Sequence, residues 1–119
     1  MKTKILKTLT ALLIVLSATG SGSAKDSKTI KEQVKVSGVC NQCKDRIENA
    51  ALIKGVKFVN WDKEKQSLEV IYKSDKTDLL TIEKAVAEVG HDTEHVKATD
   101  EAYSNLHHCC KYREGQEVH

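Results

Sequence analysis

The sequence predicts an α+β fold in which a four-stranded antiparallel sheet carries two helices on one face. Several short segments alternate apolar and polar residues, which is typical of strands with one buried face. Two further segments repeat apolar residues every three or four positions, as amphipathic helices do. Each is followed by a glycine, Gly55 or Gly90, that can end a helix. With 119 residues, the chain is long enough for one domain.

The order of these segments along the chain gives the topology. Val34 and Val36 alternate with polar residues in the first strand, and Leu68, Val70 and Tyr72 share a face of the third. Strand, helix, strand, strand, helix, strand is the order of the ferredoxin-like βαββαβ sandwich, with both helices on one face of the sheet. The predicted strands are residues 29–37, 56–61, 67–73 and 93–98, and the predicted helices are residues 44–54 and 79–89.

The N-terminus has the three-part layout of a secretory signal peptide. Residues 1–7 are basic, residues 9–16 are mostly apolar, and residues 19–24 are small and polar, with Gly22 and Ala24 placed for cleavage after residue 24. The alternative is an uncleaved membrane anchor, but the apolar run is much shorter than the roughly 20 residues that span a bilayer. We therefore expect a secreted, periplasmic protein without stable membrane insertion after cleavage. It would have a polar leader at 25–29 and a C-terminal tail at 99–119.

The charge of the expected mature chain does not favour a nucleic-acid partner. Removal of residues 1–24 takes away three lysines and no acidic residue, so the formal charge falls from +2 to −1. Aromatic residues make up only 4% of the chain, and there is no basic stripe. We expect no nucleic-acid binding and no role at a membrane surface.

Four cysteines follow the predicted cleavage site, as the pairs Cys40/Cys43 and Cys109/Cys110. Export makes disulfides the default interpretation. Adjacent cysteines bridge badly, however, because neighbouring α-carbons lie about 3.8 Å apart and disulfides usually need roughly 4.4–6.8 Å. A Cys-x-x-Cys bridge forms more easily but is typically labile. Two clustered pairs therefore favour metal or thiol chemistry over a disulfide scaffold.

The Cys40/Cys43 pair lies where the first predicted strand breaks at Gly38 and a helix begins. Two sulfurs three residues apart can converge on one soft metal ion, and the positive end of the helix dipole favours the thiolate form. Thiolates select ions such as Cu⁺, Hg²⁺ or Zn²⁺ over hard ions, and two of them suit a nearly linear Cu⁺. The alternatives are a structural disulfide and a thiol-disulfide redox site, although the chain lacks the proline of thioredoxin-type motifs.

Residues from about 30 to 97 carry a set of positions that is typical of one family. These positions are Gly38, Cys40, Cys43, Arg46-Ile47-Glu48, Gly55-Val56, Val59, Ile82, Ala85-Val86 and Gly90-His91. The stretch resembles the heavy-metal-associated domain of copper chaperones, of copper-pumping ATPases and of periplasmic mercuric-ion-binding proteins, and we assign residues 30–98 to it. The family usually reads Gly-Met-Thr/His-Cys-x-x-Cys, whereas here Val39 alone separates Gly38 from Cys40 and the methionine is absent.

The resemblance implies a metal-binding function without catalysis. Cys40 and Cys43 would bind a soft ion, most readily Cu⁺, with Hg²⁺ and Zn²⁺ as alternatives. The protein would buffer this ion or pass it to a metal transporter or another metal-binding domain by thiolate exchange. The resemblance also implies that His91 lies beside the cysteines as a third ligand or a proton-linked modulator; the alternative is an ordinary exposed histidine. A further alternative is an interaction module that has lost strong metal binding.

The C-terminal tail contains four adjacent candidate ligands. His107, His108, Cys109 and Cys110 cannot all reach one ion from a rigid helix, and their spacing fits no zinc-finger pattern. A flexible tail can supply one or two of them to the Cys40/Cys43 site or form a second site. The alternative is a disulfide from Cys109 or Cys110 to another cysteine or another chain. Local pattern does not decide whether this tail packs as a short helix or extends freely.

Overall fold

The computed structural model of the protein describes residues 28–119, so the predicted signal peptide and leader residues 25–27 lie outside the described residues. In chain order the elements are β1 (Thr29–Lys35), α1 (Asn41–Ala51), β2 (Val56–Asp62), β3 (Ser67–Lys73), α2 (Leu79–Glu88) and a short α3 (Asp100–Ser104). Two single 3₁₀ turns follow, at His108–Cys110 and Tyr112–Glu114. Within residues 28–119, no helix is both long enough and apolar enough to cross a membrane.

The strands form an antiparallel sheet in the order β1-β3-β2. In the register of the central strand β3, Leu68 pairs with Val34 of β1, and Val70 pairs with Val59 of β2. The alternation of β3 turns Leu68, Val70 and Tyr72 towards the core, where all three are buried. Ile47 of α1 belongs to the same buried cluster. The α+β class with antiparallel strands and two main helices is therefore confirmed.

The predicted fourth strand at residues 93–98 is wrong, and the described sheet has three strands instead of four. Only one bridge forms, between Val36 and Thr93, flanked by bonds from Ser37 N–H to the Asp92 carbonyl and from Glu94 N–H to the Lys35 carbonyl. Pairing ends there because the Thr93 N–H donates to the carbonyl of Val96 at 2.7 Å. The backbone groups that a strand would offer to β1 are thus used in a local turn.

Cys40 and Asp78 are the N-cap residues of the two main helices. Helix α1 begins three residues earlier than predicted, with Cys40 in extended geometry at its N-cap (φ −150°, ψ 176°) and Cys43 in its first turn. Helix α2 is capped by Asp78, whose carboxylate accepts a 2.8 Å bond from the Thr81 N–H. The glycine predicted to end α2, Gly90, has a φ of +105°, a conformation that L side chains rarely adopt.

The C-terminal tail packs firmly against the domain. The hydroxyl of Tyr112 donates to the Gly90 carbonyl at 2.7 Å and accepts from the Asp92 N–H at 2.8 Å. The guanidinium of Arg113 makes two bonds to the Asp92 carboxylate, at 3.1 and 2.7 Å. Leu106 is buried in the same cluster as the sheet residues. The tail is therefore a packed part of the structure, a point that the sequence had left open.

The loop before α1 is held by the indole of Trp61 and by the side-chain amide of Gln66. The Trp61 Nε1–H donates to the Val36 carbonyl at 2.9 Å, and the ring lies under Gly38. The side-chain amide of Gln66 brackets Gly38, donating to its carbonyl at 2.7 Å and accepting from its N–H at 2.9 Å. The Trp61 ring thus fills the space next to Gly38. In the family that this sequence resembles, a methionine usually follows that glycine, and it is absent here.

We expect Gly38→Ala to lower the free energy of unfolding by roughly 1–3 kcal/mol, the usual cost of overpacking. A Cβ at this position would lie 2.9 Å from two ring carbons of Trp61 and 3.1 Å from the Cβ of Cys43. The smaller ring of Phe lacks those two carbons. Urea denaturation of the wild type, Gly38→Ala, Trp61→Phe and the double variant should therefore show that Gly38→Ala costs less once Trp61 is replaced. Additive effects of the two substitutions would contradict this packing.

Candidate metal centre

Cys40 and Cys43 converge because α1 begins between them. Cys40 stands at the N-cap and Cys43 lies in the first helical turn, which brings their sulfurs to 3.5 Å from each other. Only 5% of Cys40 and none of Cys43 is exposed. Both are free thiols. The backbone geometry at the start of a helix thus produces a buried pair of soft ligands from a three-residue spacing.

A third sulfur comes from the C-terminal tail. The Sγ of Cys110 lies 3.5 Å from the Sγ of Cys40, and the three sulfurs of Cys40, Cys43 and Cys110 all lie within 4.8 Å of one another. Cys110 is a fully buried free thiol. Among residues 28–119, these three form the one group of three or more metal-ligating side chains this close together.

The other candidate ligands of the tail lie outside this cluster. The thiol of Cys109 is half-buried and donates to the side-chain oxygen of Gln42 at 3.2 Å, with its sulfur 3.9 Å from that of Cys110. His107 and His108 are exposed. The 3₁₀ turn therefore separates adjacent residues, directing Cys110 to the other cysteines and leaving the two histidines in solvent.

Burial and hydrogen bonding act in opposite directions on the two cysteines of α1. Burial disfavours the Cys40 thiolate, but interactions with the backbone N–H of Cys43 and with the thiols of Cys43 and Cys110 hold the pKa of Cys40 below its ordinary value. Burial raises the pKa of Cys43 to about 12. Cys40 is therefore the first of this pair to lose its proton, and Cys43 needs an incoming cation to displace its own.

A cation lies beside the third sulfur. The Nη1 of Arg46, in the second turn of α1, lies 3.3 Å from the Sγ of Cys110 and donates to it. This contact places a positive charge directly beside the third sulfur. Arg46 had no predicted role in the site, because its partner lies 64 positions away in sequence and no local pattern connects the two.

His91 is fully buried, so the alternative of an exposed histidine is wrong. Its Nδ1 is 2.8 Å from the Ser37 carbonyl and its ring stacks on Tyr112, with ring centres 5.5 Å apart. Since a carbonyl only accepts, Nδ1 carries the proton. The Nε2 atom is buried and has no hydrogen-bond partner among residues 28–119. Within the same residues, His91 is not part of the three-cysteine cluster, and its contacts join the loop before α1 to the tail.

A surface cavity of about 320 Å³ opens beside the sulfurs. Its lining consists of Cys40, Asn41, Gln42, Cys109 and His119. His119 closes one side, since its backbone N–H donates to the Val39 carbonyl at 2.7 Å. Cys43 and Cys110 do not line this cavity, so Cys40 is the member of the cluster that faces a route from solvent.

Comparison with known proteins identifies relatives of the described domain. The sequence model of one family, the heavy-metal-associated domain, matches residues 33–92. A search of curated proteins gives no match.

Several solved structures share the fold. One is a CopZ metallochaperone, which is 27% identical to this chain and superposes with a TM-score of 0.52. The alignment covers 54% of this chain and 98% of that one. Another is oxidised MerP from Ralstonia metallidurans CH34, which is 25% identical with a TM-score of 0.53. The alignment covers 56% of this chain and 96% of that one. A third is the water-soluble region of the P-type ATPase CopA from Bacillus subtilis, which is 26% identical with a TM-score of 0.52. The alignment covers 56% of this chain and 46% of that one.

We expect His91 to make the protein less stable in mild acid. Burial, followed by the charge of Arg46, lowers the pKa of His91 to about 4, from an ordinary value of 6.5. Between these values the unfolded chain binds more protons than the folded one, so stability falls as the pH falls from 6.5 towards 4. From pH 7 to pH 5 this contribution is about 2 kcal/mol.

The measurement is urea denaturation of the metal-free, reduced protein at pH 7 and pH 5, compared with His91→Asn. The amide of Asn can still donate to the Ser37 carbonyl but does not titrate. The other ionisable groups are common to both proteins, so the difference in pH dependence isolates His91. Equal losses of stability in the two proteins would show that His91 does not carry the effect.

Proposed function

The chain belongs to the heavy-metal-associated domain family, and on that premise we propose that it binds a soft metal ion, foremost Cu⁺, and buffers it or hands it to another protein. The observation that carries this proposal is the buried pair of free thiols at Cys40 and Cys43, 3.5 Å apart at the start of α1. Thiolate ligands select soft ions over Mg²⁺ or Ca²⁺. Hg²⁺ and Zn²⁺ suit the same ligands and are the alternative cargo.

The arrangement supports transfer of the ion by thiolate exchange. Cys40 combines a lowered pKa with a position on the cavity, so an incoming sulfur can reach an ion held there before an outgoing sulfur leaves. The partner in such an exchange would be a metal transporter or another metal-binding domain. A metallochaperone and a P-type ATPase region among the structures that share the fold are consistent with this class of partner. The proposal includes no catalytic step.

We also propose that the protein is exported to a periplasmic compartment, as the layout of residues 1–24 favours. We expect the protein recovered from a periplasmic fraction to begin at Lys25. N-terminal sequencing of the protein from fractionated cells measures this directly. Protein that begins at Met1 and remains in the cytoplasmic fraction would contradict export.

We expect the reduced protein to bind one Cu⁺ tightly, and Cys40→Ser and Cys43→Ser each to weaken binding on the order of 100-fold or more, since even outer-shell changes cost 10–100-fold. Anaerobic titration against a colorimetric Cu⁺ chelator gives the affinity, and competition with Hg²⁺ and Zn²⁺ gives the preference. Cys109→Ser is the matched control, because it removes a nearby thiol that lies outside the cluster.

The same variants separate the proposal from a thiol-disulfide redox protein that uses Cys40 and Cys43. A redox protein would exchange with a test disulfide, and one of the two cysteines would be dispensable for the first mixed disulfide. A metal carrier loses its ion when either cysteine is replaced. The metal function would be wrong, and the redox function right, if two results occurred together. The reduced wild type would fail to compete with the chelator, and disulfide exchange would need only one of the two cysteines.

A further inference from the structure

We propose that Cys110 is a third ligand of the metal ion, so that the C-terminal tail completes a three-sulfur site of trigonal geometry. This inference rests on the proposed function, because it specifies how the same cargo is held. Cys110 lies outside the matched segment 33–92, so the family resemblance assigns it no role.

The distances between the sulfurs favour three-fold over linear coordination. With a metal–sulfur bond of about 2.3 Å, as in zinc sites, two sulfurs on opposite sides of an ion lie about 4.6 Å apart, and three in a trigonal plane lie about 4.0 Å apart. Cys40 is 3.5 Å from both Cys43 and Cys110, and all three sulfurs lie within 4.8 Å of one another. Both distances from the Cys40 sulfur are therefore closer to the trigonal value than to the linear one.

The tail holds Cys110 in this position through contacts that involve none of the other sulfurs. The Cys110 N–H donates to the His107 carbonyl at 2.8 Å, which fixes the 3₁₀ turn. On either side of the turn, Leu106 is buried in the core and Tyr112 and Arg113 bond to the segment after α2. Because none of these anchors uses a sulfur, binding of an ion does not have to order a loose segment, and the third ligand carries little entropic cost.

The charge at the site also accommodates a third thiolate. A buried charge needs a partner, and the guanidinium of Arg46 donates to the Cys110 sulfur at 3.3 Å. Three thiolates, a monovalent ion and Arg46 together carry one negative charge. Two thiolates, the same ion and Arg46 carry no net charge. The third thiolate therefore adds one negative charge, which lies directly beside the guanidinium that donates to its sulfur.

The neighbouring cysteine provides a matched control. Cys109 has the same chemistry and lies in the same turn, but its thiol bonds to Gln42 instead of joining the cluster. Cys109→Ser and Cys110→Ser therefore make the same small change in adjacent residues of one turn. A general effect of removing a thiol from the tail would appear in both variants, whereas loss of a ligand would appear only in Cys110→Ser.

The experiment is X-ray absorption spectroscopy at the copper edge of the purified protein, loaded anaerobically with one Cu⁺ per chain and checked to be monomeric. We expect three sulfur neighbours in the wild type and in Cys109→Ser, and two in Cys110→Ser. We also expect Cys110→Ser to bind Cu⁺ about tenfold or more weakly than Cys109→Ser. Circular dichroism of each variant shows that the fold is retained.

Two sulfur neighbours in the wild type would overturn the third ligand and leave the proposed function intact. The same holds for a count of three that appears only in a dimer, or that is lost in Cys109→Ser but kept in Cys110→Ser. Failure of the reduced wild type to bind Cu⁺, Hg²⁺ or Zn²⁺ would instead overturn the proposed function and the inference with it. The wild-type and Cys109→Ser counts decide the question even where Cys110→Ser does not fold.

Discussion

The hydrogen bonds of one residue, Asp92, join the sheet, the loop after α2 and the C-terminal tail. Its carbonyl accepts from the Ser37 N–H just beyond β1, and its N–H donates to the Tyr112 hydroxyl. Its carboxylate accepts from the Ala98 N–H and from Arg113 in a two-pronged contact. Both charged side chains are mostly buried, and paired bonds of this kind exceed the worth of an exposed ion pair. This connection fixes the segment that follows the sulfur-bearing turn to the loop after α2.

The three clustered sulfurs differ in environment although they share one ligand type. Cys40 faces the cavity and deprotonates most readily of the α1 pair, Cys43 is enclosed by the core, and Cys110 is accompanied by a guanidinium. The three sulfurs therefore lie at a helix N-terminus, in the hydrophobic core and beside a cationic side chain, respectively.

The parts of this structure that depend on local pattern could be predicted from the sequence, and the parts that depend on distant contacts could not. The alternation of Leu68, Val70 and Tyr72 predicts β3, and Gly90 predicts the end of α2, because each signal lies within a few residues. The turn between Thr93 and Val96 competes with strand pairing through three hydrogen bonds, which alternation does not reveal. Cys110 meets Cys40 across 70 positions, so the sequence offers no means of preferring it to Cys109.

The small size of Gly90 allows the segment with Ala102 and Leu106 to pack closely against the end of α2. A Cβ there would lie 2.8 Å from the Ala102 carbonyl oxygen and 2.9 Å from the Leu106 side chain, both in the segment that leads to the sulfur-bearing turn. Most replacements at this position would push that segment outward, although the glycine itself has no ligand atom. The position of the Cys110 sulfur beside Cys40 therefore depends on the residue at the end of α2, far from either cysteine in sequence.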